Sequence, residues 1–187
     1  MSESKRELRA ELRRRRTERD PAELERWGVL LATHAAAVPG RTLTAFVGAG
    51  GEVPTLPLLD ALVAAGRHVL LPITLDDMTL DWAEYAGADA LAPARLGLLE
   101  PTGPRLGPAA RAAAEAILGP ALAVDRAGRR LGQGGGCYDR SLPQATGRVI
   151  AVVADDEVLD RVPTEPHDLP VDALLTPSAG LRDVPRG

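Results

Sequence analysis

The 187-residue sequence has few aromatic residues and a single cysteine. Phe, Trp and Tyr make up 3% of the chain, which argues against a protein that binds single-stranded nucleic acid by stacking bases on aromatic rings. Because Cys137 has no second cysteine to pair with, an internal disulfide is excluded, and the composition is compatible with a reducing compartment. No His/Cys cluster occurs, so we do not expect a zinc site.

The chain also lacks a long apolar run and a net positive charge. No run reaches the length of a membrane span, and the N-terminus is highly charged, unlike a signal sequence. The net charge of −4 provides no general attraction to nucleic acid or to an anionic membrane. We therefore expect a soluble cytoplasmic protein with neither a nucleic-acid nor a membrane partner. We also expect a monomer with a small-molecule substrate, although these absences do not themselves indicate either.

Several well-known catalytic and phosphate-binding motifs are missing. No Gly-x-x-x-x-Gly-Lys-Ser/Thr is present, which excludes a P-loop. A Gly-x-Gly-x-x-Gly loop fails because Cys137 stands where the third glycine is required after Gly132 and Gly134. Since no Gly-x-Ser-x-Gly elbow occurs either, the sequence argues against a serine hydrolase.

The apolar pattern predicts alternating helices and short strands. Residues 5–37 have helical spacing, interrupted at Asp20-Pro21 by a cap and a first-turn proline. The predicted strands are Thr42–Val47, His68–Ile73, Met78–Tyr85, Ile117–Val124, Arg148–Ala154 and Ala173–Leu175. Helices are predicted over Thr55–Ala65 and at the start of Ala109–Leu118, and a loop is predicted over Pro93–Pro108. Strand, helix and strand in this order indicate a parallel sheet. We expect a single three-layer α/β domain over residues 1–187, with a mostly parallel sheet flanked by helices.

Residues 125–142 contain four glycines in five positions, namely Gly132, Gly134, Gly135 and Gly136. Bare backbone approaches a ligand closely and presents its N–H groups to oxyanions. Basic residues precede these glycines, and Asp139-Arg140 follows them. This combination suits a polyphosphate with its Mg²⁺, because guanidinium and N–H groups bind the phosphate oxygens and a carboxylate binds the metal. The alternative is a flexible turn between a strand and a helix.

The N-terminal segment Lys5–Arg19 carries eight basic residues against three acidic ones. Three interpretations remain open from the residues alone. The run could bind nucleic acid, or it could be a solvated helix face with acid–base pairs. In the third interpretation Lys5 and Arg9, four residues apart, project from the same face of a helix and clamp phosphates held by the glycine loop.

Two further carboxylates each have two open interpretations. Glu52 lies in the turn Gly48–Thr55 after the first predicted strand, where open α/β sheets bind ligands. It either accepts a hydrogen bond from a substrate N–H group or caps the helix that follows. Asp168 follows His167 in a loop bracketed by prolines, and it either is solvated or reaches the same metal as Asp139.

Taken together, these segments resemble the 5-formyltetrahydrofolate cyclo-ligase (5,10-methenyltetrahydrofolate synthetase) family. The loop pattern of the family, Arg-Leu-Gly-x-Gly-x-Gly-aromatic-Tyr-Asp-Arg, corresponds to Arg130–Arg140. Further landmarks, in chain order, are Lys5–Arg9, Gly51–Thr55, Leu71-Pro72, Glu100-Pro101 and Pro163–Asp172. They cover nearly the whole chain in the order of the family.

The resemblance implies an enzyme that uses ATP and Mg²⁺ to cyclise 5-formyltetrahydrofolate to 5,10-methenyltetrahydrofolate, releasing ADP and phosphate. In that reaction ATP phosphorylates the formyl oxygen to an iminium phosphate. The neighbouring nitrogen then attacks the formyl carbon, and phosphate departs. Phosphoryl transfer of this kind depends mainly on positioning and on charge neutralisation.

The resemblance also implies roles for individual residues. The catalytic residues would be Lys5, Arg9 and Tyr138. The nucleotide would contact Lys5, Arg6, Arg9, Arg130, Leu131, Gly132, Gln133, Gly134, Gly135, Gly136, Cys137 and Tyr138. The folate would contact Arg9, Val47, Glu52, Gln133, Gly134, Gly135, Gly136 and Cys137, with Glu52 accepting hydrogen bonds from the pterin. Asp139 and Asp168 would hold Mg²⁺.

The sequence departs from the family pattern at two positions of the loop. Cys137 replaces the usual aromatic residue, and Gln133 stands where an aromatic or basic residue is common. Three alternatives to the cyclo-ligase stay open. Two are homologues of the family, one that binds folate or nucleotide without turnover and one that is a different ATP-dependent enzyme on the same fold. The third is a nucleic-acid-binding module that uses the Arg-rich N-terminal helix.

Overall fold

The structure is a computed structural model that describes residues 3–77, 79–134, 146–165 and 168–185. Its α-helices are α1 (Glu3–Thr17), α2 (Pro21–Ala32) and α3 (Leu56–Ala64). The predicted interruption at Asp20-Pro21 is confirmed, because the Asp20 side chain accepts a hydrogen bond from the Ala22 N–H (2.9 Å) and Pro21 opens α2. No helix in these ranges has the length and apolar character needed to cross a bilayer.

Twelve strands lie within the described ranges. They are β1 (Thr42–Thr44), β2 (His68–Thr74), β3 (Leu80–Glu84), β4 (Leu91–Pro93), β5 (Leu99–Pro101), β6 (Ala116–Pro120), β7 (Ala123–Asp125), β8 (Arg130–Leu131), β9 (Arg148–Val152), β10 (Val158–Leu159), β11 (Ala173–Thr176) and β12 (Gly180–Asp183). The central sheet has the order β12-β11-β9-β6-β1-β2-β3. Its five inner strands are parallel, and the two edge strands β3 and β12 are antiparallel to their neighbours.

Alternate residues of the central strands face two different layers. On one face, Leu43, Leu71 and Ile150 form a core with Leu31 of α2 and the buried leucines of α3. On the other face, Ala151 and Leu174 contact a small sheet of order β10-β7-β8. The predicted α/β class with a mostly parallel sheet and flanking helices is thereby confirmed.

Three of the predicted elements differ from the structure in more than their boundaries. The stretch 117–124 is not one strand, because β6 ends at Pro120, which has no N–H for a ladder, and β7 belongs to the small sheet. The predicted loop 93–108 contains β5, which pairs with β4. The predicted helical start at 109–118 is a 3₁₀ helix over Pro108–Ala113.

Helix α1 packs against the β7–β8 hairpin rather than against the central sheet. Leu12 is buried in a cluster with Leu122, Leu131 and Val162, and Leu8 contacts the same cluster. Full burial of a leucine stabilises a fold by about 1.5–3 kcal/mol. Since β8 leads directly into the glycine-rich residues, this cluster places α1 beside the glycine loop.

Candidate active site

One face of α1 carries both the leucines that anchor the helix and three basic side chains. Lys5, Leu8, Arg9, Leu12 and Arg16 follow one another at helical spacing, and Lys5 and Arg16 are buried. The leucines contact the hydrophobic cluster, so the basic residues between them are held against the protein interior. The predicted shared face of Lys5 and Arg9 is therefore present.

The exposed face of α1 carries acid–base pairs. Arg14 binds Glu11 (2.9 Å) and Glu18 (2.8 Å), and Arg15 binds Glu11 (2.9 Å). These contacts agree with the interpretation of this face as a solvated helix surface. They give the nucleic-acid interpretation no support, because these arginines are already engaged with carboxylates.

Lys5 lies between two carboxylates from the C-terminal part of the chain. Its Nζ donates to Glu165 Oε2 at 3.0 Å and also to Asp168 Oδ2, while its side chain is only 3% exposed. Burial alone would lower the pKa of Lys5, but hydrogen bonds and charge from Asp168 and Glu165 outweigh it and raise the pKa. Lys5 is thus held as an ammonium ion at neutral pH.

Two hydrogen bonds between Glu165 and Asp168 form a turn in the loop that carries Asp168. The Glu165 N–H donates to Asp168 Oδ2 (2.6 Å), and the Asp168 N–H donates to the Glu165 carbonyl (3.0 Å). This turn brings Asp168, a predicted metal ligand, to the predicted phosphate-binding Lys5. His167 lies outside the described residues.

The glycine loop meets the same helix through its backbone. Arg9 Nε donates to the Gly132 carbonyl (2.9 Å), and Arg13 donates to the Gln133 carbonyl. Gly134 has φ +99°, and a Cβ there would lie 3.8 Å from Arg9 Nε. The structure therefore brings the start of the predicted anion loop to the cationic face of α1.

The strand before the loop supplies two of the predicted nucleotide-contacting residues. Arg130 and Leu131 are both buried on β8. The Leu131 side chain packs in the core, and its carbonyl accepts a hydrogen bond from the Leu122 N–H (2.8 Å). A ligand would therefore contact Leu131 through its backbone and not through its side chain.

The turn after β1 holds Glu52 at the centre of a hydrogen-bond network. Oε2 accepts from the Ala49 N–H (3.1 Å), and Oε1 accepts from Gln133 Nε2 (3.0 Å) and from Arg16 (3.2 Å). Glu52 does not cap α3, since no side-chain cap is present at the start of that helix and the backbone N–H that Glu52 accepts belongs to Ala49, within the turn and before the helix. The helix-capping alternative for Glu52 is therefore wrong.

Glycine is required where this turn approaches α1. Gly51 has φ +81°, and a Cβ at this position would lie 2.4 Å from the Arg16 carbonyl oxygen. Thr55 fixes the other end, because its hydroxyl accepts from the Gly48 N–H (2.9 Å) and donates to the Phe46 carbonyl (2.7 Å). The turn, the helix and the loop are thus joined around Glu52.

Comparison with known proteins identifies the family of the chain. The model of the 5-formyltetrahydrofolate cyclo-ligase family matches residues 1–177. The chain belongs to this family. Membership confirms the predicted family and the predicted enzyme class, a folate cyclo-ligase.

Three relatives of the cyclo-ligase family show how far the similarity extends. A 5-formyltetrahydrofolate cyclo-ligase from Mycolicibacterium smegmatis is 46% identical over 151 residues, 77% of each chain. One from Escherichia coli K12 is 29% identical over 176 residues, which cover 89% of this chain and 97% of the relative. The NMR structure of Aquifex aeolicus 5,10-methenyltetrahydrofolate synthetase superimposes with a TM-score of 0.81 at 26% identity, over 98% of this chain and 94% of that one.

The remaining predicted cyclo-ligase residues stay predictions. Arg6 is exposed on α1, and Val47 is half-buried against the core just after β1. Five of the predicted residues, Gly135, Gly136, Cys137, Tyr138 and Asp139, lie outside the described residues.

Four residues that bind the predicted site residues or their partners were not themselves predicted from sequence. They are Arg13, Arg16, Glu165 and Glu157, which accepts a hydrogen bond from Arg16 (2.6 Å). Helical spacing would have found Arg16, because it is eleven residues after Lys5 and four after Leu12 on the same face of α1. The two glutamates gave no comparable signal, since each is an acid in a short polar turn.

The described residues fit a magnesium nucleotide in part. Lys5, Arg9 and Arg13 together with the loop backbone are suited to phosphate oxygens. No group of three His, Cys, Asp or Glu side chains able to hold a metal ion occurs within the described ranges. Mg²⁺ suits a site of this kind, because it is commonly bound by one or two carboxylates together with substrate phosphates.

Proposed function

We propose that this chain catalyses the ATP- and Mg²⁺-dependent cyclisation of 5-formyltetrahydrofolate to 5,10-methenyltetrahydrofolate, with release of ADP and phosphate. One observation carries the proposal. The glycine loop contacts Arg9 through Gly132 and Glu52 through Gln133, so a single loop connects the phosphate-binding face of α1 with the turn that would bind folate.

The proposed reaction requires the nucleotide and the folate to bind next to each other. A formamide oxygen is a poor leaving group, so it must be phosphorylated before the neighbouring nitrogen can displace it. Transfer of the phosphoryl group requires the nucleotide and the formyl oxygen to be aligned, with their negative charge neutralised. Mg²⁺, held by Asp168 and Asp139, would supply part of that neutralisation.

The side chains of α1 would supply the rest. Lys5 is charged and buried, where an ammonium ion interacts more strongly with a phosphate than it would in water. Arg9 is fixed by its bond to the Gly132 carbonyl, which directs it at the loop rather than into solvent. We assign both residues to the ATP phosphates, with Arg9 also near the formyl group.

Glu52 retains an acceptor position for a substrate N–H group. Among the described residues Oε1 accepts two hydrogen bonds and Oε2 accepts one, from Ala49. Since each carboxylate oxygen accepts two hydrogen bonds, Oε2 can take one more. This supports the role of Glu52 as the acceptor for the pterin.

The cytoplasmic localisation and the monomeric state of the protein stay predictions.

The reaction itself tests the proposal. Purified protein is mixed with 5-formyltetrahydrofolate, ATP and Mg²⁺, and the absorbance of methenyltetrahydrofolate is followed. We expect product only when all three are present, and removal of the metal with EDTA should stop turnover until excess Mg²⁺ is added. Absence of product from protein that still binds folate and ATP would contradict the proposal and favour a homologue without turnover.

Glutamine in place of Glu52 should weaken folate binding. In Glu52→Gln the side chain keeps its shape but loses its charge, and its NH₂ group faces donors instead of acceptors. Loss of charge-assisted hydrogen bonds predicts a rise of about 10-fold to 100-fold in KM for folate, with KM for ATP nearly unchanged. Steady-state kinetics with each substrate varied measure both. Glu84→Gln, at an exposed carboxylate bound to His68, is the matched control, and equal rises in both KM values would contradict the assignment.

A further inference from the structure

We propose that Arg16 is a positioning residue that orients the Glu52 carboxylate for the substrate. The inference rests on the substrate-binding role proposed for Glu52 above. Arg16 does not face the solvent, since its side chain is 3% exposed and lies beneath the turn that carries Glu52.

Arg16 uses three nitrogens to bind three separate segments. Nε donates to Glu157 Oε1 (2.6 Å), one terminal nitrogen donates to Glu52 Oε1 (3.2 Å), and the other donates to the Ala121 carbonyl (2.5 Å). These acceptors follow β9, β1 and β6, respectively, so all three lie beyond the carboxyl ends of parallel strands. Because a guanidinium is planar and rigid, the two fixed contacts determine where the third nitrogen meets Glu52.

The anchor of Arg16 is itself held in place. Glu157 is 1% exposed, and its Oε2 accepts the Ala154 N–H (3.0 Å) at the start of the 3₁₀ turn Asp155–Glu157. Arg19 also binds Glu157 Oε1 (2.9 Å). These partners hold the Glu157 carboxylate in place. Because Arg16 binds both Glu157 and Glu52, the position of this turn determines the position of Arg16 beside Glu52.

The contact with Arg16 occupies one of the two carboxylate oxygens of Glu52, whose side chain is 12% exposed. Arg16 and Gln133 both bind Oε1, which leaves Oε2 with Ala49 as its partner among the described residues. Arg16 thereby fixes which oxygen of the carboxylate would face the substrate.

The conservative variant Arg16→Lys tests this role. An ammonium can replace one contact but cannot reach all three acceptors in the geometry of a guanidinium. We expect KM for folate to rise about 10-fold to 100-fold, while kcat and KM for ATP change less than about twofold. Arg15→Lys is the matched control, because among the described residues the neighbouring Arg15 binds Glu11 alone, on the exposed face, and its replacement should leave all three constants unchanged.

A double-mutant cycle separates positioning from a merely structural role. If Arg16 acts through Glu52, then Arg16→Lys should raise KM for folate less than about twofold once Glu52→Gln is present. The same rise in both backgrounds, or an unchanged KM in Arg16→Lys alone, would overturn the proposal. If Arg16→Lys does not fold, Glu157→Gln takes its place in the cycle, because it weakens the anchor and retains an acceptor oxygen for Arg16.

Calorimetric binding of 5-formyltetrahydrofolate distinguishes failure of this inference from failure of the proposed function. If the unaltered protein makes no methenyltetrahydrofolate, the proposed function fails. If it makes the product and Arg16→Lys binds folate as tightly as the unaltered protein, only the role of Arg16 fails.

Discussion

Replacing Lys5 with methionine is expected to lower ATP-dependent turnover on the order of a thousandfold. Methionine matches the length of the lysine stem but carries no charge. The lost ammonium is buried between Asp168 and Glu165, where water cannot replace it during phosphoryl transfer. The two carboxylates left behind would also repel the phosphates that Lys5 is proposed to bind.

Arginine is not expected to restore this activity. Lys5 is the only lysine of the chain, beside 21 arginines. Its site is 2% exposed and bounded by two carboxylates, which suits a compact ammonium better than a larger planar guanidinium. We expect Lys5→Arg to recover less than about a tenth of the lost turnover. Recovery close to the unaltered rate would show that charge alone matters at this position.

Measurement of turnover and stability together separates the two roles of Lys5. Loss of one partner of a buried hydrogen-bonded pair costs about 1–3 kcal/mol of unfolding free energy. Because the pKa of Lys5 is raised above its ordinary value of 10.5, its stabilising contribution is complete below pH 10.5 and is lost as the pH rises through the pKa in the folded state. The stability difference between the unaltered protein and Lys5→Met should therefore be constant from pH 7 to about pH 10 and shrink above it. A thousandfold loss of turnover in a protein unfolded at the assay temperature would not support the catalytic role.

Local chemistry made the two N-terminal helices predictable. The break at Asp20-Pro21 follows from a capping side chain and a proline with fixed φ, both of which act within two residues. The shared face of Lys5 and Arg9 follows from helical periodicity alone. Each of these predictions depends only on neighbours in sequence, and the structure agrees with each.

The pairing of the two edge strands was not predictable in the same way. Strand β12 is four residues long with two exposed positions, so its pattern does not stand out from a loop. Its pairing with β11 depends on the turn between them rather than on its own composition. The antiparallel direction of β3 likewise depends on a short connection to β2, which leaves no room for a crossover helix.

In the candidate site, too, contacts between residues far apart in sequence were not predictable. The carboxylate of Glu157 is 141 residues from Arg16, and the run Asp155-Asp156-Glu157 resembles an ordinary solvated turn. Only the fold shows that the last of these acids is buried while Asp156 beside it is half-exposed. The family resemblance supplied the roles of Glu52 and Asp168, which their sequence surroundings had left open. It gave no information about the arginine beneath Glu52.

A second large effect is expected at Asp125, where Asp125→Asn should reduce the unfolding free energy by about 3–5 kcal/mol. The carboxylate is fully buried and accepts four hydrogen bonds. They come from the N–H groups of Ala127 (3.0 Å), Arg129 (3.1 Å) and Val162 (2.9 Å) and from Arg129 Nε (2.6 Å). An asparagine amide nitrogen accepts none of these, so part of the donor set would be left buried and unpaired.

Asp125→Asn should also affect the candidate active site, because Asp125 connects two segments that carry site residues. The turn it closes leads to Arg130 and the glycine loop, and its bond to Val162 fixes the chain shortly before the turn that carries Asp168. We therefore expect KM for ATP to rise in Asp125→Asn even at temperatures where the protein stays folded. An exposed control is Asp76→Asn, since the Asp76 side chain is 93% exposed and Arg95 is its one partner within the part of the chain that the structure describes.

The pH dependence of stability provides an independent check on the charge of Asp125. Burial would raise its pKa, but the hydrogen bonds from Val162 and from Arg129 and Ala127 outweigh burial and hold the pKa below the ordinary 3.8. A carboxyl with a lowered pKa stabilises the fold above that value and loses its contribution as the pH falls through the pKa in the folded state. Urea unfolding should therefore show a full difference between the unaltered protein and Asp125→Asn at pH 7, and a shrinking one below pH 3.8. A difference that stays constant down to pH 2 would mean that the shape of the side chain, and not its charge, stabilises the hairpin.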